Sequence, residues 1–237
     1  MISHAAKNMT RPKAAPRPKA GRPTREQARK RHDELLDRAL DLFLDKGFEQ
    51  ATIEAIAASV GMTKRTVYAR YADKSALFKA AVQRSIERQI VPNATLQALD
   101  AGDIETTLAA VARLRVAHVM TPAGLKQQRI INTESYRFPE IFNMAYEQNT
   151  RPVIEFVAGL LRGETAAGRM AVAEPERAAV VFMSMVVSGP VRIIVSGNRL
   201  TSREIENRIQ FAVRLFLDGA RVRDKRHGPD AGGAMMG

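Results

Sequence analysis

Residues 52–74, TIEAIAASVGMTKRTVYARYADK, read as two short helices joined by a glycine turn. Thr52 stands where an N-cap belongs, and Ile53, Ile56, Ala57 and Val60 fall on one inward face. Gly61 turns the chain and Thr63 caps the second helix. That helix carries Lys64, Arg65, Thr66 and Tyr68, with Val67 turned to the core. The small residues Ala57 and Ala58 let the two helices cross closely. This is the layout of a helix-turn-helix, whose second helix is built to enter the DNA major groove.

The flanking chain completes a small helical domain. Thr24 caps a helix that begins at Arg25, with Glu26 favourable in its first turn. Leu35, Leu36, Ala39, Leu40, Leu42 and Phe43 form its apolar face, and Asp33, Glu34, Asp37, Arg38, Asp41 and Asp45 cover the other. Gly47 stops it and Phe48 packs back. Asp73 caps a fourth helix running to about Val91, before Pro92.

The charge distribution agrees with a nucleic-acid partner. The chain has 237 residues and a formal charge of +12, yet residues 32–220 carry 23 basic and 22 acidic side chains. Residues 1–31 hold ten Lys or Arg against one acid, and their repeated prolines preclude helix or ladder. An arm of this kind beside a DNA-reading motif contacts phosphates or places an Arg in the minor groove; the alternative is a solubilising tail. Within the motif, Lys64 and Arg65 suit guanine edges or phosphate, and Tyr68, Tyr71 and Lys74 suit backbone phosphates. The Thr52 hydroxyl and nearby amides suit a phosphate as well.

Residues 25–79 resemble the DNA-binding domain of the tetracycline-repressor (TetR) family. The matching string is ALDLFLDKGFEQATIEAIAASVGMTKRTVYARYADKSALF. The resemblance implies that Thr52, Thr63, Lys64, Thr66, Tyr68, Tyr71 and Lys74 face DNA. Arg65 departs from the small residue or Pro of many relatives, and Ala69 and Arg70 from an aromatic and a His.

Beyond Pro92 the chain reads as helix after helix: 104–120, 123–137, 139–165, 175–195 and 201–217. Ala, Val, Ile and Leu at helical spacing and only 5% aromatics predict an all-α fold. The expected organisation is a basic disordered arm over 1–24 and a DNA-binding domain of the helix-turn-helix type over 25–84. A larger helical ligand-binding and dimerisation domain follows over 85–220, then a flexible tail over 221–237. The string ESYRFPEIFNMAYE resembles the subgroup with an AefR-like C-terminal domain. That resemblance implies a homodimer formed through a four-helix bundle of the last two long helices. Val180, Met183, Val187, Ile194, Ile209, Phe211, Val213, Leu215 and Phe216 supply apolar surface for it, unless they form an intramolecular core. An effector cavity is expected between helices from 104 to 195. Its candidates are His118, Met120, Glu134, Tyr136, Met144, Met183 and Arg192, for each of which surface exposure or ordinary packing is the competing reading. Gly189-Pro190 predicts a kink.

Other classes find little footing. There is no Cys, no H-E-x-x-H, no Walker A, no dinucleotide glycine pattern and no G-x-S-x-G, so no catalytic residue, metal or cofactor is assigned. No apolar run reaches the length of a membrane span, and the basic N-terminus lacks the apolar stretch of a secretory signal. The sequence therefore predicts a cytoplasmic, ligand-responsive, sequence-specific regulator, usually a repressor. It would act as a homodimer on a palindromic operator in double-stranded DNA and answer to a small-molecule effector. A nonspecific DNA-associated protein is the first alternative. An enzyme or small-molecule binder that kept the fold and lost regulation is the second.

Overall fold

Thr24 opens helix α1 (Arg25–Gln50) through a capping box, its hydroxyl accepting from the Gln27 N–H while the Gln27 side chain accepts from the Thr24 N–H. Gly47 interrupts α1 at φ 79°, ψ 159°, and the turn it makes returns Phe48 to the core. Thr52 caps α2 (Ile53–Ser59), Thr63 caps α3 (Lys64–Tyr68), and Asp73 caps α4 (Lys74–Glu87), each accepting from the backbone three residues on. Each such cap contributes about 1 kcal/mol. Between α2 and α3 Gly61 takes φ 64°, a left-handed turn that a side chain would strain.

The structure of the protein is a computed structural model that describes residues 24–196, 198 and 200–221, without the side chains at 190, 194 and 195. The rest of the expected arm and tail, and the Ile194 side chain, lie outside the described residues. The remaining helices are α5 (Asn93–Gln97), α6 (Ile104–Val119), α7 (Pro122–Glu134), α8 (Pro139–Ala145), α9 (Arg151–Ala166), α10 (Pro175–Met183), α11 (Gly189–Val195) and α12 (Ser202–Ala220). Among the described residues there is no sheet, only an isolated bridge between Met170 and Arg221. No described helix is long and apolar enough to cross a membrane.

Two segments expected to be continuous helices are each interrupted by one π-helical turn. Tyr146–Thr150 separates α8 from α9, and Ser184–Ser188 separates α10 from α11. The second irregularity therefore begins before Pro190 rather than at it. A wider turn carries an extra residue per turn and lets a helix pass a proline that cannot donate.

Two hydrophobic cores result. Leu35, Leu40, Phe43, Ile56, Val67, Leu77 and Phe78 lie in the first and Leu108, Val157, Leu161, Phe182 and Val213 in the second. The first also takes in Ile130, Phe138, Ile141 and Ala145 from α7 and α8. Phe138 sits 5.0 Å from the Phe48 ring and 5.1 Å from Phe78, while Phe43 and Phe78 meet edge-on at 4.9 Å. Such aromatic pairs add about 0.5–1.5 kcal/mol beyond area burial. Part of the acidic face of α1 is a seat rather than a solvated surface. Arg84 reaches Asp33 at 2.7 Å, Arg88 reaches Asp37 at 2.7 Å, and Lys126 pairs with Asp41.

Candidate functional site

The helix-turn-helix presents a polar surface on a fully buried base. Val67 is buried beneath α3, which fixes that helix on α2, whose Ile56 is also buried. Thr52, Thr63, Lys64, Arg65 and Thr66 are exposed, as is Tyr68. The Thr63 and Thr66 hydroxyls lie 2.9 Å apart on the first turn of α3. Lys64 pairs with Glu54 of α2 and holds its ammonium 5.5 Å from the Tyr68 ring centroid. The hydrogen bond between them lowers the Glu54 pKa and raises that of Lys64.

The last two predicted contacts are less free. Tyr71 is half-buried, its hydroxyl hydrogen-bonded at 2.6 Å to Nε2 of His32 and its ring stacked on that imidazole. Burial raises the Tyr71 pKa and lowers that of His32, which the neighbouring Arg70 charge lowers further. Lys74 donates to the Glu49 carbonyl at 3.0 Å and lies over the Phe48 ring. Tyr71 therefore ties the chain after α3 to α1, and Lys74 ties α4 to the end of α1. His32 was not among the sequence candidates. Its signal was a titratable ring within an otherwise charged face of α1.

The larger half contains a cavity of roughly 320 Å³ that merges with a second space of roughly 260 Å³, since Arg115, Val119, Gln128, Tyr146, Thr150, Ser184 and Ser188 line both. It lies between α6, α7 and the two π-helical turns, with Gln89, just past the end of α4, in its wall. Gly124 makes the close packing of α7 on α6 possible. A Cβ there would stand 2.4 Å from the His118 carbonyl oxygen and 2.6 Å from that of Val119.

Of the seven effector candidates, the structure brings only His118 and Met183 to this cavity. Met120 is half-buried against the second core and Met144 against the first. Glu134 is half-buried on α7 and lines none of the cavity. Tyr136 is 99% exposed, because the turn after α7 sends Phe138 inward instead. Arg192 points outward from α11. The polar wall comes from residues that sequence reading passed over: Gln89, Arg115, Gln127 and Asn149 are all buried. Arg115 had a signal. It shares the apolar face of α6 with Leu108, Val111, Ala112 and Val119, where a charge is out of place.

Expected interface residues divide. Met183, Ile209 and Val213 are buried in the chain's own core, and Val187 and Phe216 are half-buried against it, whereas Val180, Phe211 and Leu215 are exposed on α10 and α12, as is Val181, which was not among them. These side chains leave apolar surface exposed on both helices.

The comparisons bear on both halves. Residues 35–81 match the family described as bacterial regulatory proteins, tetR family, and residues 106–219 match the AefR-like transcriptional repressor, C-terminal domain. No curated protein matches the chain significantly. Among solved structures, a TetR-family regulator of Mesorhizobium loti is 25% identical and superposes with a TM-score of 0.66, over 84% of this chain and 100% of that one. The flavonoid-responsive regulator FrrA is 30% identical with a TM-score of 0.63, over 82% of this chain and 99% of that one. A TetR-family regulator of Pseudomonas syringae, 21% identical with a TM-score of 0.62 over 84% of this chain and 100% of its own, shares the fold. The all-helical chain, with its helix-turn-helix and larger helical body, belongs to the TetR family of DNA-binding transcriptional regulators and carries an AefR-like C-terminal domain.

Proposed function

We propose that the chain is a ligand-responsive repressor that binds a palindromic operator as a homodimer in the cytoplasm and has no enzymatic activity. Residues 25–84 read DNA, through Thr52, Thr63, Lys64, Arg65, Thr66 and Tyr68, with Tyr71 and Lys74 at the margin. Residues 85–220 hold the effector and the dimer contact. One recognition helix reads few base pairs, so two are needed for an operator, and the exposed Val180, Val181, Phe211 and Leu215 supply the surface that joins two copies.

The observation that carries this reading is the position of the cavity. Gln89 at the end of α4 forms part of its wall, and α7, another wall, sends Ile130 into the core of the DNA-binding domain. A ligand that favours one arrangement of these helices shifts the spacing of the two recognition helices, and operator affinity falls by the ligand's differential affinity for the two states. The flavonoid response of FrrA supports small-molecule control here.

The test is selection of genomic fragments by the purified full chain, then footprinting across a range of salt, with sedimentation to read the oligomer. Recovery of one palindrome protected by a dimer is the expected result. Weak binding to every fragment, lost steeply with salt, would instead leave a nonspecific DNA-associated protein.

A further inference from the structure

The cavity holds a buried cation with no anion to meet it. Arg115 is 94% buried, given its 6% exposure, and its Nε has no hydrogen-bond partner. Among the described residues no carboxylate pairs with it, and neither an Asp nor a Glu lines the cavity. Burial alone lowers its pKa, with no acid opposing the shift. An unpaired buried charge is expensive, and native chains keep one where something else completes it.

Three further orphans share the same wall. Gln89 Oε1, His118 Nε2 and Asn149 Oδ1 are buried without partners. Burial and the Arg115 charge lower the His118 pKa against a hydrogen bond to the Gln89 backbone, which leaves a neutral ring whose free nitrogen accepts. The set is thus one cationic donor and three acceptors. Away from the shared wall, the merging space is apolar, lined by Ile154, Val180, Met183, Val187 and Val191.

Resting on the effector reading above, we propose that this site takes a hydroxylated organic anion. A carboxylate or phenolate meets the Arg115 guanidinium, a hydroxyl group donates to Gln89, His118 or Asn149, and the apolar body lies toward Met183 and Val187. The planar fork of a guanidinium matches a planar oxyanion, and a neutral isostere leaves it unpaired. Site polar groups that go unmatched reject the wrong ligand more strongly than missing apolar contacts do.

Calorimetry on the full chain tests this with three probe families: 4-hydroxybenzoate, 4-hydroxycinnamate and 6-hydroxy-2-naphthoate. Each is compared with its carboxamide and with its methoxy analogue. At least one acid is expected to bind about ten-fold or more tighter than its amide, and several-fold tighter than its methoxy form. Arg115→Met, which keeps the volume, should erase the acid-over-amide preference; Arg115→Lys should retain part of it. Absence of any acid preference across the panel, including absence of binding, overturns the proposal. So does a preference that survives in Arg115→Met. Because the acid and amide are compared on the unaltered chain, a variant that fails to fold does not remove the test. Gel shifts with the selected operator separate the two readings. A chain that binds operator but shows no acid preference loses only the anion; one that binds no DNA loses the regulatory reading, while calorimetry still decides the anion.

Discussion

The DNA-binding head and the cavity of the larger half are built on opposite terms. In residues 24–88 no buried side-chain polar atom lacks a partner, whereas seven such atoms occur among the described residues beyond them, four of them in the cavity wall. The head is capped at every helix start, and its rings interlock. The cavity is bounded by two π-helical turns and a buried, unpaired Arg115. A reader of DNA gains from being rigid, while a receptor keeps polar groups in reserve for its ligand, at a cost in stability.

The largest expected effect tests the head. Phe78→Ala removes a side chain that meets Phe43, Phe48 and Phe138, and should destabilise by roughly 3–5 kcal/mol in urea unfolding. A loss under about 1 kcal/mol would mean the ring cluster is not a rigid core. Next comes Gly124→Ala beside the cavity. Alanine favours a helix, yet its Cβ would press on two carbonyls of α6, so a net loss of about 1–3 kcal/mol is expected. A stabilised variant would show that α7 gives way freely.

Lys64→Ala should then separate function from stability. Its Glu54 pair is exposed and adds little to folding, so the thermal midpoint should hold while operator affinity drops roughly ten-fold. Unchanged footprinting affinity would remove Lys64 from the interface. Arg115→Met should raise unfolding stability by about 1 kcal/mol, the opposite sign to a core substitution in the head. A lower midpoint would mean that Arg115 is paired in the folded chain.

The smallest effect is in pH. His32 and His118 both have pKa values lowered from 6.5, chiefly by burial. The unfolded chain then binds protons more readily, so the stability these rings contribute is complete above pH 6.5 and is lost as pH falls through their folded values. Thermal midpoints should decline from pH 7 toward 5, and His32→Gln and His118→Gln should each flatten part of that slope. A slope unaltered in both variants would assign it elsewhere.

What the sequence made legible follows the range of the forces involved. Caps and turns are local, and Thr24, Thr52, Thr63 and Asp73 each cap the helix they announce; for the last helix the sequence left Thr201 or Ser202, and Thr201 is the cap. The recognition helix and the family resemblance could be read for the same reason. The π-helical turns have no local signature, so 139–165 and 175–195 each read as one helix. The five-residue α5 after Pro92 was too short to show a period. Cavity residues converge from five separate stretches, Gln89, 115–119, 124–131, 142–154 and 180–191, and which polar groups face inward depends on packing that a periodic pattern does not encode. Thus Tyr136 was a binding candidate and is at the surface, while Asn149, which was no candidate, is buried in the cavity wall.

Phe138 has a consequence for modularity. Regulators of this architecture invite chimeras in which one head is joined to another body to rewire a genetic circuit. Here the head's core includes a ring from beyond α7, and Ile130, Ile141 and Ala145 complete the same socket. A head cut free after α4 would expose the faces of Phe48 and Phe78 to water. A graft will therefore work only onto a body whose turn after α7 offers an aromatic of matching size. The portable unit is the head together with α7, that turn and α8.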